Sequence, residues 1–184
     1  MRSKLISLDY FKYCIILLSY FLLYSNMNNT TLLFLIKRKN GVVNEVCLAM
    51  KKRGFGVGKW NGVGGKPNPE DRSIEDTVKR ETYEEIKVLV KSITKVAELE
   101  FEFIKKMEWN QLVHVYLCEE WEGVPLETEE MAPKWFSTDH LPFDEMWPDD
   151  WYWLPMVLKG NNIKARFKFL DGSGIKDFRI DGTL

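Results

Sequence analysis

Residues 64–88 read GGKPNPEDRSIEDTVKRETYEEIKV. Two glycines lead into a loop held open by Pro67 and Pro69. Ser73 with Asp76 three residues on signals a helix start, and the helical stretch beyond carries Glu81, Glu84 and Glu85. On a helix of about 100° per residue, Glu84 and Glu85 fall about 60° and about 40° to either side of Glu81, so all three share one side. Ile74, Val78 and Val88 fall there too, while Asp76, Lys79 and Tyr83 lie opposite. The core-facing stripe therefore turns acidic partway along. A solvated face with Arg80–Glu84 pairing is the ordinary account of such a cluster. It fits poorly on an apolar side, where each like-charged pair about 6 Å apart costs about 3 kcal/mol at an effective dielectric of about 20. A divalent cation removes the difficulty, and carboxylates with few imidazoles or thiolates make a hard oxygen site suited to Mg²⁺ or Mn²⁺.

Such a cation generally serves phosphate chemistry, and residues 54–65 just upstream hold six of the chain's twelve glycines, backbone that can approach a polyphosphate. Neither G-x-x-x-x-G-K-[ST] nor G-x-G-x-x-G can be threaded through this loop, since Gly65-Lys66 is followed by Pro67. Before the loop, residues 31–37 (TLLFLIK) and 45–51 (EVCLAMK) read as strands around a Lys39-Asn40-Gly41 turn. After the helix, residues 95–103 and 112–118 read as strands and 139–159 as broken helix. Residues 165–170 and 175–180 read as a closing hairpin around Asp171-Gly172.

The 184 residues suit one domain, and 45% apolar content suffices for a core. A formal charge of -1 provides no overall positive field for a nucleic-acid polymer. Cys14, Cys47 and Cys118 are odd in number and lack a C-x-x-C pair, which argues against a disulfide framework and a zinc site and for a reducing compartment. Residues 13–24 (YCIILLSYFLLY) form an apolar run too short to span a bilayer, without an A-x-A-like cleavage site after it. Residues 1–26 are read either as a targeting segment or as an extension ahead of a domain that starts at Met27 and runs through 184.

Residues 64–88 closely resemble the Nudix box, G-x5-E-x7-R-E-U-x-E-E-x-G-U with U aliphatic. The R-E-x-x-E-E element is intact at Arg80, Glu81, Glu84 and Glu85. MKKRGFGVGKWNGVGGK (50–66), FEF (101–103), VHVYLC (113–118) and MWPDDWYW (146–153) extend the likeness to the Nudix diphosphatases of mammalian type that act on oxidised purine nucleoside triphosphates. The resemblance implies an α/β fold, specifically a Nudix α/β/α sandwich with a mixed central sheet. It also implies Mg²⁺-dependent hydrolysis of 8-oxo-dGTP or 2-oxo-dATP to monophosphate and pyrophosphate. By the same resemblance Glu81, Glu84, Glu85 and the Gly64 carbonyl hold the metal, Arg80 orients the glutamates, and Glu84, Glu85 or Glu130 is the base. Three departures stand out. The box's first glutamate falls on Asp71 counted forward from Gly65 but on Arg72 counted back from Arg80; Lys87 replaces the last glycine; Thr82 replaces an aliphatic residue.

WPDDW, residues 147–151, sets two adjacent carboxylates among indoles, which by itself suits a helix start with a capping aspartate and core tryptophans. The resemblance assigns Asp149 and Asp150 to reading the purine edge, Trp147 to stacking on the base and Asn61 to contacting it. One protonated and one ionised carboxyl would offer donor and acceptor together. Thr31, Lys51, Phe55, Phe101, Phe103, Met131 and Trp153 match other pocket positions. Gln111 sits near where the family's pocket has a methionine, which shifts the expected base preference. His114 and His140 are read as structural. The expected partner is a nucleoside triphosphate, with no nucleic-acid polymer, no membrane insertion and a monomeric chain in the cytoplasm, mitochondrial or nuclear pools being open. The alternatives are a Nudix hydrolase of methylated purine nucleotides, ADP-ribose or dinucleoside polyphosphates, and a non-catalytic nucleotide-binding scaffold.

Overall fold

The computed structural model describes residues 27–171 and 174–182; residues 1–26, with the apolar run and Cys14, lie outside them. The strands are β1 (Asn28–Lys39), β2 (Val42–Lys51), β3 (Trp60–Asn61), β4 (Leu89–Phe103), β5 (Gln111–Glu122), β6 (Met131–Ser137), β7 (Ile163–Phe169) and β8 (Ile175–Gly182). Among the described residues two α-helices accompany them, α1 (Ile74–Ile86) and α2 (Asp150–Leu158), with short 3-10 turns at Met107–Trp109 and Phe143–Glu145. The sheet runs β3-β2-β1-β5-β4-β7-β8, with β6 on the other side of β2. It is mixed, because β1·β5 and β4·β7 are parallel and the other pairs antiparallel.

Period-2 alternation divides the core between the sheet's faces. Leu33, Leu35, Tyr116 and Cys118 face α1 through Val78 and Ile86. Phe34, Ile36, Val113, Val115 and Leu99 face α2 through Trp153, Leu154 and Val157. The α/β/α sandwich expected from the sequence is present. Cys47 and Cys118 are buried free thiols, and no helix among the described residues is long and apolar enough to cross a membrane.

Locally encoded features appear where expected. Asn40 and Gly41 both take positive φ (54° and 81°), the geometry of a tight hairpin between β1 and β2. Ser73 caps α1 by accepting the Asp76 N–H at 3.1 Å. The strands are longer than their apolar runs, since backbone pairing continues past the buried residues. β6 follows a loop that carries no strand signal and forms only because the open edge of β2 receives it, from Glu45–Ser137 to Lys51–Met131. Residues 139–159 reduce to one 3-10 turn and α2. The hairpin of β7 and β8 exceeds its predicted bounds, and Gly172 of its connection lies outside the described residues.

Lys87 ends α1 with φ 62° and ψ 31°, its N–H reaching the Tyr83 carbonyl. A side chain in this left-handed conformation costs about 1–2 kcal/mol, part of which a glycine's greater unfolded-state entropy offsets. Lys87→Gly is therefore expected to raise the melting temperature by about 2 °C, measured by thermal denaturation; a lower value would remove the strain assigned to this cap.

A cleft between an acidic helix and a buried carboxylate pair

β2 pairs with β1 as far as Leu35–Cys47, and at Ala49 and Met50 its neighbours become Asn61 and Trp60 of β3. Around this divergence lies a cavity of about 610 Å³, lined by the start of β1, the end of β2, the glycine loop, β4, β5 and the beginning of α2. At its mouth the glycine loop is clamped to β1: the Thr31 N–H donates to the Gly65 carbonyl at 2.9 Å and the Gly65 N–H to Thr31 Oγ1 at 3.2 Å. A Cβ on Gly64 would stand 2.1 Å from the Thr31 carbonyl oxygen, and one on Gly65 would stand 2.5 Å from the Glu81 carboxyl carbon. At Gly64 the atom met is backbone, so only glycine permits this approach of the loop to β1.

Behind the loop, Arg80 organises the helix. Its guanidinium donates to Glu81 at 2.7 Å, Glu84 at 3.0 Å, the Lys66 carbonyl at 3.0 Å and Asp71 at 2.9 Å. Asp71 also accepts from the Asn68 N–H and the Thr77 hydroxyl. The Arg80 guanidinium and those donors hold the Asp71 carboxyl well below the usual carboxylate range. The two ways of counting the box thus resolve in favour of Asp71, while Arg72 is exposed. Glu85 is buried, accepting from Lys51 Nζ at 2.9 Å and from the Gly64 N–H at 2.9 Å. Burial pushes the Glu85 and Glu81 carboxyls up, opposed by Lys51 and Arg80 respectively.

One expectation needs correction. The three glutamates do not share a core-facing side: the Glu84 side chain is 56% exposed, Glu81 is half-buried, and the buried stripe runs through Val78, Thr82, Glu85 and Ile86. Thr82 replaces an aliphatic residue there without leaving its hydroxyl unpaired, donating to the Val78 carbonyl at 2.7 Å. Arg80 and Lys51 already offset much of the repulsion that crowded charges would cause. Among the described residues no three acidic, histidine or cysteine side chains converge on a point, since Arg80 draws Glu81 and Glu84 while Lys51 draws Glu85. The donor chemistry still suits a hard divalent cation. Glu81 abuts Gly65 and Glu85 abuts Gly64, so two partly desolvated carboxyls flank one short backbone segment with only oxygen donors to offer.

Glu130, just before β6, is tied to Arg53 and lies 4.0 Å from Lys51, which links it to Glu85. The Arg53 guanidinium lowers the Glu130 carboxyl. At the cavity's other end Asp149 and Asp150 are both buried. Asp149 occupies the N-cap position of α2 without capping it; its carboxylate accepts from Trp153 Nε1 at 3.0 Å. Asp150 accepts from the Trp147 N–H at 3.0 Å. Burial raises both carboxyls, Asp149 to about 6, and the Asp149 charge raises Asp150 further. Phe55, on the glycine loop, stacks on Trp147 at 5.1 Å and meets Trp109 edge-on at 5.0 Å.

Thr31, Lys51, Phe55, Asn61, Gly64, Phe101, Phe103, Gln111, Glu130, Met131, Trp147, Asp149, Asp150 and Trp153 all line this cavity. Arg80, Glu81, Glu84 and Glu85 stand behind its glycine rim. His114, bonded through Nε2 to Asn29 at 2.9 Å, and exposed His140 take no part. Lys59 and Phe169 also line it. Phe169 had a signal, the alternation Phe167–Phe169 in β7, but nothing local marked Lys59, which reaches the Met146 carbonyl at 3.0 Å.

The NUDIX domain model matches residues 26–157. An oxidized purine nucleoside triphosphate hydrolase of Mus musculus is 44% identical over 136 residues, covering 74% of this chain and 86% of that protein. One of the same name from Danio rerio is 41% identical over 137 residues, with the same coverage. Among solved structures, the mMutator MutT protein from Bacillus halodurans superposes with a TM-score of 0.71 at 22% identity, covering 84% of this chain and 98% of its own. The MutT NUDIX hydrolase from Burkholderia pseudomallei gives 0.54 at 23% identity, covering 62% and 86%. These two likenesses are of fold.

Proposed function

The chain belongs to the Nudix family, and on that premise we propose that it hydrolyses oxidised purine nucleoside triphosphates to nucleoside monophosphate and pyrophosphate, clearing them from the nucleotide pool. The observation that carries this is a single cavity with the glycine rim of an acidic helix at one end and a buried Asp149–Asp150 pair under stacked aromatics at the other. The names of the mouse and zebrafish relatives support the same substrate class.

In this reading Glu81, Glu84, Glu85 and the Gly64 carbonyl would hold Mg²⁺, with Mn²⁺ as a substitute. The bound cation supplies charge neutralisation on the phosphate oxygens and lowers the pKa of water. Arg80, anchored by Asp71, keeps Glu81 and Glu84 on the loop side of the helix. A carboxylate among Glu84, Glu85 and Glu130 takes the proton of the attacking water as a P–O bond forms and the bridging P–O bond breaks. Lys51 and Thr31, which line the cavity, contact the substrate between its two ends. Trp147 and Phe55 cover the base, and Asp149, Asp150 and Asn61 read its edges. Residues 27–184 act as one monomeric catalytic unit on free nucleotides of the cytoplasm, with mitochondrial or nuclear pools as further places of action.

The test is pyrophosphate release by the full chain from 8-oxo-dGTP and dGTP, with and without Mg²⁺. Release is expected only with metal, with kcat/KM at least about tenfold higher for the oxidised nucleotide, as befits a site built to hydrogen-bond its substrate. Equal rates for the two nucleotides, or release that ignores metal, would sink the reading.

A further inference from the structure

The face of the sheet that builds the base end of the cavity also carries a polar pair. β5 begins at Gln111, opposite Phe101 of β4 and Asn28 of β1. Alternation puts Gln111 on the face of Val113 and Val115, and Thr30 on the face of Leu32 and Phe34. Both Gln111 and Thr30 line the cavity. The Thr30 hydroxyl donates to Gln111 Oε1 at 3.1 Å. The amide's acceptor is thereby engaged, and its nitrogen is the half left for a ligand among the described residues. Asn61 is arranged alike, its Oδ1 taken by the Gly62 N–H at 2.8 Å. Along with the carboxylate pair, the cavity is thus lined by two amides whose oxygens each already accept a hydrogen bond and whose nitrogens are donors. Around Gln111 the wall is apolar, Phe101 and Val113 being its neighbours on that face. There a hydrogen bond meets little competition from water. Oxidation of a purine adds a carbonyl, an acceptor that the ordinary base lacks.

We infer that Gln111, oriented by Thr30, is a specificity-determining residue whose amide nitrogen donates to the oxygen that oxidation adds to the purine. The inference rests on the oxidised-purine reading of the cavity and adds a reader of the lesion itself. Thr30 acts by fixing which half of the amide faces the ligand.

The experiment measures dissociation constants of 8-oxo-dGMP and dGMP by titration calorimetry on the full chain, for wild type, Gln111→Glu, Gln111→Met and Thr30→Val. Glutamate keeps the shape and an acceptor for Thr30 but has no N–H; methionine removes polarity without adding charge. In both variants the affinity ratio favouring 8-oxo-dGMP is expected to fall about three- to tenfold, the value of one hydrogen bond. In Gln111→Met the dGMP constant should move less than about twofold, and Thr30→Val should lower the ratio by less than either. A ratio unchanged in both Gln111 variants, parallel loss of both ligands, or a wild type without preference would overturn the assignment. A Gln111-dependent ratio in a protein that releases no pyrophosphate would uphold it and overturn the hydrolase reading instead.

Discussion

Glu85→Gln is expected to lower kcat for pyrophosphate release by about a thousandfold while the chain stays folded and still binds nucleotide. Glu85 is the buried member of the acidic trio, held between Lys51 and the Gly64 N–H, each at 2.9 Å. Glutamine keeps the volume and one carbonyl oxygen for the Gly64 N–H but removes the charge that would bind a cation, leaving Lys51 without its closest partner. Burial already raises the Glu85 carboxyl, so a neutral side chain is tolerated there, and the melting temperature should move by only a few degrees. The base end of the cavity is untouched, so 8-oxo-dGMP affinity should change little. A kcat within fivefold of wild type would remove Glu85 from the metal-binding set. Loss of binding and activity together would mean that its role is to hold the glycine rim.

Asp149→Asn should raise stability above neutral pH and act at the other end of the site. Burial lifts the Asp149 carboxyl from 3.8 to about 6. The folded chain therefore holds a proton that the unfolded chain gives up more easily. The associated stability is complete below the ordinary carboxylate range and is lost as pH rises through about 6. Asparagine does not titrate and can still accept from Trp153 Nε1. The variant should therefore melt at least a few degrees above wild type at pH 8, the gap closing toward pH 4. Selectivity should move with it, because asparagine's fixed donor and acceptor replace a carboxyl that can be either. The 8-oxo-dGTP to dGTP ratio of kcat/KM should fall by about tenfold or more. A variant no more stable than wild type at pH 8, with an unchanged ratio, would show that these carboxylates are neither strained nor reading the base.

The acidic turn, the Ser73 cap and the Asn40-Gly41 hairpin are each specified within a few residues, by hydrogen bonds or backbone angles that short segments set for themselves. The glycine rim was legible in the same way, as a concentration of residues that nothing but close backbone approach requires. The strand face bearing Phe101 and Phe103 was legible from alternation. Those patterns suffice for a phosphate-handling α/β domain, and the resemblance they carry names the family.

Tertiary structure decided what joins what. Asp71 rather than Arg72 anchors Arg80 because the loop folds back across the helix, bringing together residues nine apart that a one-residue count cannot align. Glu84 turns outward and Glu85 inward because the strands on that face meet the helix along Val78 and Ile86, an axis set by packing and not by the charges. β6 exists because β2 had an edge to fill. The Asp149–Asp150 pair became buried only once Phe55, from the glycine loop, stacked on Trp147 and the start of α2 packed into the core. Local geometry and chemical inventory are written in the sequence, because both depend on near neighbours. Only the tertiary structure determined burial and partnership, because desolvation and ion pairing depend on residues dozens of positions away.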